Sequence, residues 1–423
     1  MGFFLLVCWI LSMAGLSAPG RPAPLSVQTL DPIALVKLAT RAGAVLVLIP
    51  ILLRSDQTNR SRLLWRRLFP LILFAAWTVV SVCWSALPAV TLGHAIDVVL
   101  LVMLSGTAGL ICTDEENYKR VFCHLTVIAM VMSIVLIILN FRTIAAGQRP
   151  IEYMQPNDMA KTAGAGLMLF TCCRVLWRWK WTGKLFVPAV GILSFLVFAA
   201  RSRTASILTP LVLLVICWRL RNSQAVLVVC AFCGLLAAVI AVQPGRAERL
   251  SESVVTYMAR GQNTEQLVGM NGRTEMWTIA IKSFENSPLF GHGYYTMSDT
   301  GFLRVWGKVR WQTAHNAFLH VLTGLGLLGL LFFLYGLFST IQPSLVALKD
   351  RGRIRKVEFL ALVIVVWYCA MGLFELSFFG PVDTAVVIFY VLVGISAGSG
   401  RYHGLYVTGS RPGVVLYRGA LPH

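Results

Sequence analysis

Val121-Phe122-Cys123-His124-Leu125-Thr126-Val127-Ile128-Ala129-Met130-Val131-Met132-Ser133-Ile134-Val135-Leu136-Ile137-Ile138-Leu139 contains no Asp, Glu, Lys or Arg. A helix of about 20 apolar residues spans a bilayer, so this run reads as a membrane span. Comparable stretches recur near 3–17, 33–53, 68–84, 96–112, 158–177, 185–200, 206–219, 224–243, 317–340, 357–375 and 382–398. Composition agrees. Of 423 residues, 57% are hydrophobic and 13% are charged, against about 25% charged in soluble domains. Mean hydropathy is +0.73. This excludes a soluble multidomain chain and a disordered one. The expected fold is all-α: a polytopic membrane protein of about twelve transmembrane helices forming one domain over residues 1–423. The first span is short but lacks the basic start of a signal peptide. The second carries Lys37 and Arg41, which places its first turns near the interface.

The charge of the short loops orients the spans. The loops at 54–67, 113–120, 174–184, 219–223 and 342–356, with the C-terminal tail, hold 21 Lys and Arg. The alternating set at 18–31, 85–93, 140–157, 201–205 and around Phe378 holds 5. Basic short loops stay in the cytoplasm, so both termini are expected there. The formal net charge of +19 then needs no nucleic acid, which would call for a basic face on a soluble domain. The stretch 244–312, between spans 9 and 10, is long and polar and falls on the outer side. Long loops are exempt from the charge rule and are usually functional. The ten cysteines lie almost all in apolar runs. Cys230 and Cys233 form a CxxC inside one such run, which lacks the four ligands that structural zinc needs.

Within the long loop, Trp277, Ala280, Ile281 and Phe284 fall at i, i+3, i+4 and i+7, one face of an amphipathic helix. Thr274 is its expected N-cap. Pro288 and Gly291-His292-Gly293 stop it. By itself this is a helix lying on the membrane surface. Arg273, at its start, adds a guanidinium fork to the free N–H groups of a helix N-terminus, a natural seat for pyrophosphate. Arg201 and Arg203 crowd a short outer link between two spans. Each alone is an ordinary snorkelling residue, but together they repel unless something anionic lies near. His315, where the long loop re-enters the membrane, is either a helix-start cap or a general base. His320, deeper in that span, reads as packed core, and His292 sits in a Gly-rich turn. Asn157 and Asp158 form an N-cap pair or line a polar pocket. Trp84-Ser85 reads as an aromatic-belt residue followed by a cap. No Walker A loop, HExxH or DxD is present. The acidic cluster Asp114-Glu115-Glu116 faces the cytoplasm beside Lys119 and Arg120.

These motifs resemble the O-antigen ligase and polymerase family of bacterial membrane glycosyltransferases. Carrying the resemblance are Ser202-Arg203-Thr204-Ala205, Gly272-Arg273-Thr274 with Trp277, and Pro288-Leu289-Phe290-Gly291-His292-Gly293. Ala314-His315-Asn316-Ala317-Phe318-Leu319 and Gly324-Leu325-Gly326-Leu327-Leu328-Gly329 follow, with Gln155-Pro156-Asn157 and Trp84-Ser85 less specific. The resemblance runs from about residue 70 to 395. It implies an enzyme of the bacterial cytoplasmic membrane with its active site on the outer face. The donor would be a glycan on undecaprenyl diphosphate. The acceptor would be a glycan or a lipid core, and other polysaccharide assembly proteins would be partners. It implies that Arg203 and Arg273 hold the diphosphate, with Arg201, Asn157 and Asn316 as further substrate ligands, and that His315 activates the acceptor hydroxyl. No metal or other cofactor is expected, because the arginines stabilise the leaving diphosphate. If His315 is not the base, His292 and Glu375 come next. Polymerisation ranks above ligation, though the motifs do not decide it. The alternative of another class is a transporter or flippase of lipid-linked glycan. That function concentrates charge near the bilayer midplane, whereas Lys161 and Glu375 lie near span ends.

Overall fold

A chain this apolar satisfies its backbone groups within helices, and the fold is all-α with one small hairpin. The computed structural model describes residues 1–13, 16, 32–53, 59–146, 148–150, 153–177, 180–220, 228, 231, 233–234, 273–305, 309–311, 313–346, 353–379 and 381–399. A helix lies on each stretch read as a span, except that near 224–243, which falls almost wholly outside the described residues. The start of the long loop, 244–272, Cys230 and the C-terminal tail also lie outside them. Among the described residues five helices are long and apolar enough to cross a membrane, and five shorter apolar helices accompany them.

In chain order the helices are α1 (Gly2–Met13), α2 (Pro32–Leu53), α3 (Asn59–Val80), α4 (Pro88–Ile111), α5 (Glu115–Leu139), α6 (Phe141–Ala145), α7 (Pro156–Trp177) and α8 (Lys180–Lys184). They continue with α9 (Phe186–Ala199), α10 (Arg203–Leu220), α11 (Arg273–Asn286), α12 (Ala317–Val346), α13 (Arg353–Gly372) and α14 (Thr384–Gly398). Helix α14 is apolar all round and every one of its residues is buried, as such a helix must be. It packs against α4, α12 and α13. At Gly394 any Cβ would stand 2.1 Å from the Ser105 carbonyl oxygen, so α4 and α14 touch backbone to backbone. The Ser105 hydroxyl closes that contact by donating to the Tyr390 carbonyl at 2.6 Å. Asp114 caps α5, its carboxylate accepting from the Asn117 amide at 2.9 Å.

Two helices depart from their expected form in ways that bear on the site. Helix α4 starts at Pro88 rather than near 96, because Pro is favoured in a first helical turn. Asp97 therefore lies well inside the helix, paired with Arg41 of α2 at 2.6 Å. Helix α12 is kinked at Gly326, where φ is +68°. The amides of Leu327 and Leu328 turn to the carbonyls of Pro288 and Leu289. Gly293 in turn donates to the carbonyl of Gly324 at 2.8 Å. A Cβ at Gly291 or Gly326 would meet the opposing backbone at 2.4 or 2.3 Å. Both glycines are therefore required by a loop that docks into a broken helix.

The described part of the long loop has a core of its own, built from Met276, Ala280, Met297, Leu303, Val305 and Ala314. The buried face of α11 is Met276, Ala280 and Ser283. That is rotated from the expected face, and Ile281 is exposed. The rotation follows from Ser283, whose hydroxyl donates to the Met297 carbonyl at 2.6 Å. Thr274 is not the N-cap: the helix already includes Arg273, and the Thr274 carbonyl accepts from the Thr278 hydroxyl. The hairpin, β1 (Leu303–Val305) with β2 (Val309–Trp311), pairs Leu303 with Trp311 and Val305 with Val309. Three-residue strands are too short for period-2 alternation to be read from sequence.

Candidate active site

Each candidate residue stands at a helix end, and the local sequence puts it there. Helix α9 ends in a left-handed residue, a role usually given to Gly. Here it is Arg201, with φ +51° and its amide on the Phe198 carbonyl at 2.8 Å. The sharp turn leads straight into α10, whose first residue is Arg203. Helix α11 opens with Arg273 and is tied to the start of α12 by the Trp277 indole N–H, which donates to the Ala314 carbonyl at 2.9 Å. His315 follows, also left-handed at φ +47°. Such non-glycine conformations cost about 1–3 kcal/mol each and persist where the surroundings enforce them.

One carboxylate joins two of these residues. Glu375, buried in the turn between α13 and α14, receives the Arg273 guanidinium on Oε1 and the His315 ring on Oε2, the latter with Nδ1 at 3.3 Å. Burial pushes the Glu375 carboxyl up. The hydrogen bond from His315 and the charge of Arg273 outweigh it and bring its pKa down to about 2. The bond to Glu375 selects the histidine tautomer protonated on Nδ1 and leaves the lone pair on Nε2.

Arg149 completes the cluster. Its Nη2 donates to the Asn157 side-chain oxygen at 3.3 Å. Burial lowers the pKa of this guanidinium. Glu375 opposes that shift, while Arg273, Arg203 and Arg201 repel the charge and add to it. Four guanidiniums and one carboxylate thus act on one another at one end of the bundle. Like charges gathered in a partly buried place are costly, and an anion relieves that cost with bidentate hydrogen bonds.

The structure brings Arg201, Arg203, Arg273 and His315 together with two residues that sequence reasoning gave other roles or none, Arg149 and Glu375. Arg149 carried one signal, a basic residue on the side poor in positive charge. Glu375 reads only as a fallback base, a lone acid near the end of a span. Asn157 sits in the first turn of α7 and holds Arg149. Asn316 caps α12, its side-chain oxygen accepting from the Leu319 amide at 2.9 Å, and its amide group donates to the Leu373 carbonyl at 3.0 Å. His292 ties the Gly-rich turn, with Nε2 on the Ser283 carbonyl at 2.8 Å and Nδ1 on Asp299 at 2.9 Å. His320 is fully buried in α12, edge-on to Tyr295 at 4.8 Å between ring centroids. Among the described residues no three His, Cys, Asp or Glu side chains converge to hold a metal.

Residues 188–334 match the model of the O-antigen ligase family. The O-antigen ligase match runs from α9 into α12 and includes Arg201, Arg203, Arg273, His315 and Asn316. It supports the family read from the motifs. Members of the O-antigen ligase family are enzymes that ligate or polymerise glycans. Arg149, Asn157 and Glu375 lie outside the matched segment. No curated protein matches the chain.

Proposed function

We propose that this protein is a metal-independent glycosyltransferase of the bacterial cytoplasmic membrane. It transfers a glycan from undecaprenyl diphosphate to a hydroxyl acceptor at the outer face. The observation that carries the reading is the gathering of Arg149, Arg201, Arg203 and Arg273 beside a histidine oriented by Glu375. The acceptor oxygen attacks the anomeric carbon while His315 Nε2 takes its proton. The bond from that carbon to the diphosphate oxygen breaks, and its electron pair leaves with the diphosphate. Negative charge grows on the phosphate oxygens as the bond breaks, so guanidiniums aimed there stabilise the transition state more than the ground state. Each such contact contributes about 2–4 kcal/mol to the barrier.

Glycan analysis of a deletion strain tests the reading. Single repeat units left on the lipid carrier identify a polymerase, and full-length polymer left on the carrier identifies a ligase. The Arg41–Asp97 pair inside α2 and α4 favours a second reading, a transporter of lipid-linked glycan, since charge within spans marks substrate pathways. Purified protein separates the two. Release of undecaprenyl diphosphate from a lipid-linked donor supports transfer, and movement of intact donor across a proteoliposome membrane supports transport.

A further inference from the structure

Lys161 lies in the second turn of α7 and is fully buried. Its ammonium pairs with Asp158, one turn earlier, at 2.5 Å. An exposed pair of this spacing contributes little, and a buried one is costly unless its remaining donors are satisfied. A Met of similar volume would avoid the cost of burying that charge, but would lose its attraction to Asp158, Asp383 and Glu375. The second bond gives the lysine a purpose: Nζ donates to the Leu376 carbonyl at 2.8 Å. Leu376 follows Glu375 directly. Three residues earlier the Leu373 carbonyl is held by Asn316 at 3.0 Å. The turn that bears Glu375 is therefore pinned at two carbonyls, one from α7 and one from the start of α12, with the carboxylate between them.

We propose that Lys161 is a positioning residue. It fixes the 373–379 turn so that one Glu375 carboxylate meets both Arg273 and His315. The proposal rests on the reading of the site given above, but the tether itself is a matter of geometry. Charge agrees with it, because the Lys161 ammonium also helps hold the Glu375 carboxyl down.

The test uses full-length protein carrying Lys161→Met with Asp158→Asn, which removes both charges of the pair and leaves the buried Asp383 carboxylate held by the Val386 amide. Lys161→Gln alone, the milder change, carries the same test if the paired variant fails to fold. In hydrogen exchange the amides of 373–379 are expected to exchange about tenfold faster or more, as for a locally opened segment, with α7 and α12 unchanged. Unchanged exchange in 373–379 overturns the tether. In a strain lacking the chromosomal copy, glycan formed is expected to fall about 100-fold, the loss that a displacement of about 1 Å brings. Binding of undecaprenyl diphosphate should stay within about fivefold, a loss in turnover rather than in ground-state affinity. Combined with Glu375→Gln, the loss should be no greater than that of Glu375→Gln alone, as for residues acting through one another. Losses that multiply overturn the proposal. If wild-type protein binds no undecaprenyl diphosphate, the functional reading fails, and the exchange result still decides the tether.

Discussion

Replacing Glu375 by Gln removes one charge and almost no volume. In the folded protein that charge serves two partners, Arg273 and His315, whose side chains are 22% and 21% exposed, while Glu375 itself is buried. At an effective dielectric of about 20, a charge pair 4 Å apart is worth about 4 kcal/mol. Breaking a buried pair by removing one partner typically costs about 3–5 kcal/mol. Partial exposure of Arg273 and His315 screens this toward the lower figure. The rate should fall by the share owed to a correctly oriented base, about 10²–10⁴-fold. Binding of undecaprenyl diphosphate should hold or strengthen, because the variant removes the negative charge that opposes the four arginines. The carboxyl pKa lies at about 2 in the folded protein against an ordinary value near 4.5. A depressed carboxyl stabilises the fold fully above its unfolded pKa and loses that contribution as pH falls through the folded one. The stability difference between wild type and Glu375→Gln should be constant above pH 4.5 and vanish toward pH 2. Glycan yield in a complemented deletion strain, diphosphate binding and thermal unfolding against pH are the assays. Near wild-type transfer in Glu375→Gln, with normal protein levels, would refute the claim that this carboxylate orients the base.

Three further outcomes follow from the same geometry. His315→Ala should lose transfer about 10²–10⁴-fold yet bind undecaprenyl diphosphate, whereas His320→Ala should lower the melting temperature more than the rate. Loss of binding in His315→Ala equal to that in Arg273→Ala would make the ring a substrate ligand instead. Arg201→Gly should leave the fold as stable or more so, by up to about 1–2 kcal/mol, because Gly bears no left-handed penalty, while weakening diphosphate binding. A fall in stability would show that the Arg201 side chain holds the turn. A cysteine at Thr300, exposed between α11 and β1, should react with a membrane-impermeant thiol reagent in intact spheroplasts once Cys83 and Cys233 are replaced. Labelling only after lysis would put the site on the cytoplasmic side.

The helices were legible because length and apolarity alone decide them. A buried helix such as α14 is legible for the same reason, since nothing polar interrupts it. Boundaries were less so. Asp97 reads as a span end when the helix is started at the first unbroken apolar run, but Pro88 starts it earlier and carries the acid inward. The face of α11 was misread because Ser283 is buried by a hydrogen bond to Met297, and periodicity counts only apolar residues. In the site, Arg201, Arg203, Arg273 and His315 were found as cationic or basic groups near helix ends on one side. Arg149 was not, and Glu375 was legible only as a fallback base, since the arginines they meet lie far along the chain. Glu375 meets Arg273 across 102 residues, a separation at which no local pattern carries information.

The central claim is that the arginine cluster binds the donor's diphosphate. Its most direct test is binding of undecaprenyl diphosphate, with undecaprenyl monophosphate as comparison, to purified wild type and to Arg203→Ala, Arg273→Ala and Arg273→Lys. The diphosphate lacks any sugar, so the result does not depend on which glycan is the substrate. A planar fork pairs bidentately with phosphate and an ammonium does not. Saturable binding that prefers the diphosphate, is lost in both Ala variants and is only slightly recovered by Lys is the expected result. Equal affinity of wild type and Arg273→Ala for the diphosphate would contradict the claim.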